Sequence, residues 1–295
     1  MEVEEEAFSM EDRAMGLREE VDGLWWYHTL ELPGGVTTRG WYDLRPLAAV
    51  LPWPRSLAGM RCLDVGTANG FWAFEMERRG AAEVVALDVN DMASLDWPVR
   101  RVEYNLADDL FSRPFEIAHN ALGSRVQRVG GTIYEAPDVL QGTFDFVFLG
   151  AILLHLRQPI DALTALRQVC TGTLLSVDVI SLRLSMRLPR APAAMIVGQG
   201  DPTWGTPNRL GHRQWVYAAG WELLAMSRRP RRTQFGSGAE VDTAWRDLPS
   251  RRERTIMAAK RRWGVPTNWI VARPDASLVV PPGRPDAVAV APLPS

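Results

Sequence analysis

From residue 60 onward, short apolar blocks of strand length alternate with longer blocks of helical texture. Residues 60–65, 83–88, 125–129, 144–149 and 173–180 are the strand-length blocks, and residues 70–79, 114–122 and 160–170 the helical ones. After a polar, Pro-rich stretch up to residue 207, a helix at 210–219 and strands at 221–227 and 268–272 complete the series. Strands alternating with helices of this length specify a parallel sheet with both faces covered. The expected class is therefore α/β, a doubly wound, mostly parallel, seven-stranded sheet.

The first 55 residues have a different texture. Residues 1–24 read as an acidic arm leading into a helix with apolar Met10, Met15, Leu17 and Leu24. An aromatic stretch from Trp25 to Leu32 follows, is broken by Pro33-Gly34-Gly35, and resumes from Val36 to Trp41. Two extended segments around a Pro-Gly-Gly turn predict a hairpin or an ordered flap. The expected organisation is an N-terminal arm, helix and aromatic flap over 1–55, a main domain over 56–273, and a disordered Pro/Ala-rich tail over 274–295.

Composition excludes more than it selects. The chain has 295 residues with 33 basic and 35 acidic side chains, so it is no bulk polycation. At this length a hydrophobic core suffices without disulfide or metal staples. Its two cysteines, Cys62 and Cys170, are far apart and lack metal-type spacing, so no metal site is expected and a reducing, cytoplasmic setting is. The acidic start has no secretory pattern, and no apolar run approaches the roughly 20 residues of a membrane span, so no membrane partner is expected. The balance is uneven along the chain: residues 1–22 carry nine acids against Arg13 and Arg18, and residues 228–262 eleven basic groups against four acids. A solvated face is the ordinary reading of such runs, and a phosphate-bearing partner the functional one.

The sharpest chemical signal is Leu63-Asp64-Val65-Gly66-Thr67-Ala68-Asn69-Gly70, at the junction of the first strand and its helix. A glycine turn there lets backbone amides approach a ligand, beside a helix N-terminus. Asp88 closes the next strand, 22 residues beyond Gly66, where an acid can bind both hydroxyls of an adenosine ribose. A dinucleotide site prefers a third glycine, but Phe71 stands there, and Asp64 is poorly placed for a pyrophosphate while suiting the ammonium of a methionine moiety.

The pattern resembles the class I S-adenosylmethionine-dependent methyltransferases, whose Rossmann-like fold and first motif, D-x-G-x-G-x-G, it shares with Ala68 replacing the middle glycine. Residues 144–159, with Phe144-Asp145-Phe146-Val147-Phe148-Leu149-Gly150 and Leu154-His155, resemble the fourth strand and following loop of that superfamily. Together with Trp26-Tyr27-His28, Gly34-Gly35-Val36-Thr37-Thr38-Arg39-Gly40-Trp41 and Pro207-Asn208, they make residues 25–227 similar to the tRNA wobble-uridine (5-methoxyuridine) methyltransferase-like family. The resemblance implies S-adenosyl-L-methionine as cofactor, held by Asp64, Gly66, Thr67, Ala68, Asn69, Gly70, Asp88, the backbone of Thr132 and Ile133, and Gly150. The best-known branch transfers a carboxymethyl group from carboxy-S-adenosylmethionine. Here Leu154-His155 replaces that family's Tyr-His pair and Lys260 is the only lysine, although Arg39 or Arg45 could substitute, so the ordinary cofactor is expected.

Methyl transfer from a sulfonium needs a base only for a hydroxyl or amine acceptor. His155 and His28 are the two candidates; the structural alternatives are a loop-orienting histidine and a packed imidazole. The expected activity is transfer of a methyl group to an oxygen or nitrogen of a small molecule. The alternatives are a tRNA-modifying enzyme, gripping phosphates through Arg228, Arg229, Arg231, Arg232, Arg251, Arg252, Arg254, Lys260, Arg261 and Arg262, and a non-catalytic cofactor-binding scaffold.

Overall fold

The computed structural model describes residues 10–96, 109–196, 203–238 and 251–278. The first nine residues and the tail from 279 onward, where the acidic arm and most of the Pro/Ala-rich segment were expected, lie outside the described residues.

Five parallel strands form the centre: β5 (Arg61–Val65), β6 (Glu83–Asp88), β7 (Gln127–Gly130), β8 (Phe144–Gly150) and β9 (Cys170–Val179). They lie in the order β7-β6-β5-β8-β9, and two later strands, β14 (Val265–Pro274) and β12 (Trp221–Met226), extend the sheet past β9 in antiparallel pairing. These are the seven strands expected from the apolar blocks.

The sheet continues further. β14 pairs with β9 along one edge, and its other edge is shared between β12 and β13 (Arg231–Phe235). β13 in turn pairs with β4 (Gly40–Asp43), and β4 with β1 (Trp26–His28). The N-terminal cap is thus hydrogen-bonded into the main sheet and gives it ten strands. The hairpin expected around Pro33-Gly34-Gly35 is β2 (Glu31–Leu32) against β3 (Val36–Thr37), with Gly34 and Gly35 at positive φ. Helix α1 (Met10–Asp22) packs on this turn and on α4 (Ser112–Leu122).

Side-chain alternation divides the core between the two faces of the sheet. On β8, Phe146 and Phe148 pack towards the cap and α3 (Phe71–Arg78), while Phe144, Val147 and Leu149 pack towards α6 (Pro159–Val169) and α8 (Arg209–Ala218). Burial on both faces is why these strands read as apolar runs without polar alternation.

One polar network crosses the second layer. Ser227 Oγ donates to Asn268 Oδ1 (2.6 Å), so the Asn268 amide nitrogen faces His212 Nδ1 (3.1 Å), and His212 Nε2 is left to donate to Ser176 Oγ (2.9 Å). Burial pushes the His212 pKa down to about 3, so the network is neutral.

The segment between β9 and α8 is more ordered than its polar, Pro-rich composition suggested. It contains α7 (Leu182–Arg187) and a small hairpin of β10 (Ala194–Ile196) and β11 (Gly205–Pro207). Asn208 ties it together: Oδ1 accepts from Gly211 N (2.7 Å) as the N-cap of α8 and from Ala193 N (3.1 Å), and Nδ2 donates to the Leu188 and Ala191 carbonyls. The arginine-rich segment contributes β13 and α9 (Arg251–Trp263), which packs on β13.

Candidate active site

All five parallel strands end at one edge of the sheet, and there the chemistry collects. After Val65 the chain turns through Gly66 (φ 73°), Thr67, Ala68 (φ 46°), Asn69 and Gly70 (φ 90°) before entering α3. Gly66 is needed for its φ, and a Cβ there would stand 2.7 Å from Ile152 Cδ1, at the movable end of that side chain. Ala68 holds a left-handed conformation that costs an L-residue roughly 1–2 kcal/mol.

Asp64, at the end of β5, is fully buried and accepts from Ala73 N (3.1 Å), which ties the strand to α3. Its Oδ1 and the Thr67 hydroxyl are buried together behind the turn. Burial raises the Asp64 pKa to about 7 against the Thr67 hydroxyl, which pulls it down. Asp88, at the end of β6, accepts from Ala68 N (2.6 Å) and Val89 N (2.8 Å), one bond on each oxygen. Each oxygen keeps a lone pair for a further donor. Burial raises the Asp88 pKa as well.

A cleft open to solvent runs from this turn across the sheet edge. Gly66, Asp88, Val89, Ile133, Ile152 and His155 are among its walls. Asp96 braces its rim, accepting from Tyr134 Oη (2.8 Å) and Arg157 N (2.7 Å), while its carbonyl accepts from Trp204 Nε1 (2.6 Å). The Arg157 guanidinium lies over the Trp204 ring (4.7 Å).

The residues singled out from the sequence fall into distinct groups. Gly66, Asp88, Thr132, Ile133 and His155 line the cleft. The Thr132 amide already donates to Glu135 Oε2 (2.9 Å) within a capping box, which leaves Ile133 as the nearer backbone. Gly150 packs against Trp72, where a Cβ would meet Nε1 at 3.0 Å.

Asn69 points away from the cleft. Its Oδ1 accepts from Tyr27 N (2.5 Å) and His28 N (3.4 Å) and its Nδ2 donates to the Phe111 carbonyl (3.3 Å), so it clasps the cap to the glycine turn. His28 is buried in the cap with its ring against Tyr27 and Phe71, and Nδ1 has no partner. Burial pushes its pKa down to about 3, so the imidazole is neutral and a weak base. Arg45 is bound by Asp43 and Glu31, and Arg39 is exposed.

Asp178 was not singled out from the sequence. Asp178 ends β9, is buried, and accepts from Leu153 N (2.8 Å) and Val179 N (2.6 Å). Burial raises its pKa to about 7, while the Val179, Leu153 and Leu154 amides pull it down. Burial, then Tyr42, then Asp178 hold the Tyr27 phenol far above its usual pKa. The available signal was an acid at the close of an apolar strand, the same one that marked Asp88.

The family model described as a methyltransferase domain matches residues 40–225. The chain belongs to that family. It carries a methyltransferase domain, and the Gly66 turn and the Asp88 carboxylate, both lining the cleft, fit S-adenosylmethionine as cofactor. The methyltransferase is similar to tRNA U34 carboxymethyltransferases of Ectopseudomonas mendocina (strain ymp), 29% identical over 56% of this chain and 46% of that protein, and of Azotobacter vinelandii (strain DJ / ATCC BAA-1303), 28% identical over 53% and 44%. The match therefore spans less than half the length of these curated relatives.

Among solved structures, the fold is similar to the (4+2) cyclase SpnF, with TM-score 0.52 and 16% identity over 90% of this chain and 94% of that one. It is also similar to an uncharacterised methyltransferase from Bacillus halodurans C-125, with TM-score 0.50 and 14% identity over 79% and 99%. Within the described residues, no helix of the methyltransferase is long and apolar enough to cross a membrane.

Proposed function

We propose that the protein moves a methyl group from S-adenosylmethionine to an oxygen, or a nitrogen, of a small-molecule acceptor that enters beneath the aromatic cap. The observation that carries this reading is the cap itself. β1 and β4 are bonded into the sheet through β13 and clasped to the glycine turn by Asn69, so the cap is a fixed part of the domain beside that turn, which supports a small acceptor over a broad polymer. The bound cofactor supplies a methyl group already activated on a sulfonium. The chain's part is to seat the methionine end at Asp64 and the glycine turn, the ribose at Asp88, and to keep water out under the cap. His155, on the cleft wall, is the candidate base: unchanged turnover in His155→Ala with unchanged cofactor affinity rejects that role.

Methyl rather than carboxymethyl transfer is favoured by charge. Among the described residues, no cation pairs with Asp64 or Asp178, and an extra carboxylate on the transferred group would meet like charge. A second reading, tRNA modification, is favoured by the curated relatives and by the exposed cations of β13 and α9, Arg231, Arg232, Arg254 and Lys260 among them. Incubation with methyl-labelled cofactor and either a small-metabolite extract or bulk tRNA separates the two. Label appearing in small molecules supports the first reading, and label confined to tRNA overturns it.

A further inference from the structure

Four strands carry successive parts of the site along one edge of the sheet: Asp88 on β6, Gly66 after β5, Ile152 after β8 and Asp178 on β9. The Ile152 side chain crosses Gly66. Its two neighbours are bonded to β9, Ala151 N–H to the Val177 carbonyl (2.7 Å) and Leu153 N–H to Asp178 Oδ2 (2.8 Å). The Asp178 carboxylate is thus bonded to the turn that directly follows Ile152, a wall residue of the cleft, two strands beyond Gly66 in the direction away from Asp88.

We infer that Asp178 is a specificity-determining residue for the charge of the cofactor, its carboxylate favouring the sulfonium form over the neutral thioether left after methyl transfer. The inference rests on the cleft being the S-adenosylmethionine site. Three observations support it. Asp178 is 1% exposed, and its pKa is perturbed by burial and by backbone amides, with no arginine, lysine or histidine of the described residues pairing with it. Holding the Leu153 turn needs only an acceptor, and the nearby Ser176-His212-Asn268 network meets a similar demand with neutral groups. A buried carboxylate costs several kcal/mol unless a positive charge arrives to offset it. A sulfonium brings that charge, and its loss on transfer weakens the hold on the product.

The test compares the affinities of S-adenosylmethionine and S-adenosylhomocysteine by calorimetry in the wild-type protein and in Asp178→Asn. Both ligands carry the same ammonium and adenosine, so their bonds to those shared groups cancel in the ratio, and Asp64 and Asp88 are the same in the two proteins compared. Asn preserves an acceptor for Leu153, and the expected result is a fall of about tenfold in the preference for the sulfonium ligand with thioether affinity kept. Parallel loss of both ligands without a change of ratio, or no change in either, overturns the inference. If the variant binds neither ligand, the pH series decides.

Asp64, which burial also brings to a pKa of about 7, His155 on the cleft wall and the Tyr27 and Tyr42 phenols of the cap are the other titratable groups near this end, so the series is run in His155→Gln and in Asp64→Asn. The preference for the sulfonium must rise from about pH 6 to about pH 8 as Asp178 ionises, and a flat ratio overturns the inference. Failure of the wild-type protein to bind the thioether would refute the cofactor site instead.

Discussion

Lowering the pH should weaken cofactor binding through Asp64. In the ligand-free protein burial holds this carboxyl near pKa 7, so the neutral acid and the carboxylate coexist around neutrality. A ligand ammonium beside it favours the carboxylate, so binding draws the bound-state pKa down and releases a proton. Affinity is therefore complete above the ligand-free pKa and declines as pH falls through it. With a pKa of about 7, the ionised fraction drops from about nine-tenths at pH 8 to about one-tenth at pH 6, a tenfold loss or about 1.4 kcal/mol.

S-adenosylhomocysteine is the ligand of choice, because it carries the ammonium without the sulfonium and so reports on Asp64 apart from Asp178. Calorimetry at about pH 6 in buffers of different ionisation enthalpy should find nearly one proton released per ligand bound. Asp88 titrates in the same direction, its pKa also raised by burial, so Asp64→Asn supplies the assignment. That variant should bind weakly and with a much flatter pH dependence. An affinity that stays constant from pH 6 to pH 8 in the wild-type protein, with no proton released, would refute the placing of the ammonium at Asp64.

Three further expectations follow from single contacts. Asn69→Ala removes the acceptor for the Tyr27 and His28 amides and should cost about 1–3 kcal/mol, with faster amide exchange concentrated in residues 26–43; exchange spread evenly over the chain would argue against a clasp. Ala68→Gly relieves a left-handed alanine and should leave stability unchanged or raise it by up to about 1 kcal/mol in a denaturant titration; a clear loss would mean the strain is not there. Asn208→Ala should lower the unfolding free energy by about 1–2 kcal/mol, because it removes the cap of α8 together with three loop bonds. An effect within a few tenths of a kcal/mol would show that water replaces that network.

Much of this molecule was legible from residue order alone. Strand and helix periods located the seven central strands, and Asp64, Gly66, Gly70 and Asp88 marked the glycine turn between β5 and α3 and the strand end beside it, because its demands are local: positive φ, a close backbone approach, and an acid at a strand end. Local patterning missed β13 and α9, where runs of arginine masked both periods, and the hairpin of β10 and β11, where Pro-rich composition read as loop. The roles of Asn69 and Asp178 were decided only in three dimensions. Asn69 looks like one more turn residue until Tyr27 and His28, more than 40 positions away, present their amides to it. Asp178 looks like the end of a strand until the sheet order sets it beside the turn that follows Ile152. A turn conformation is paid for by the residues that make it, so it leaves a local signature, whereas a hydrogen bond or a buried charge depends on which distant segments the sheet brings together.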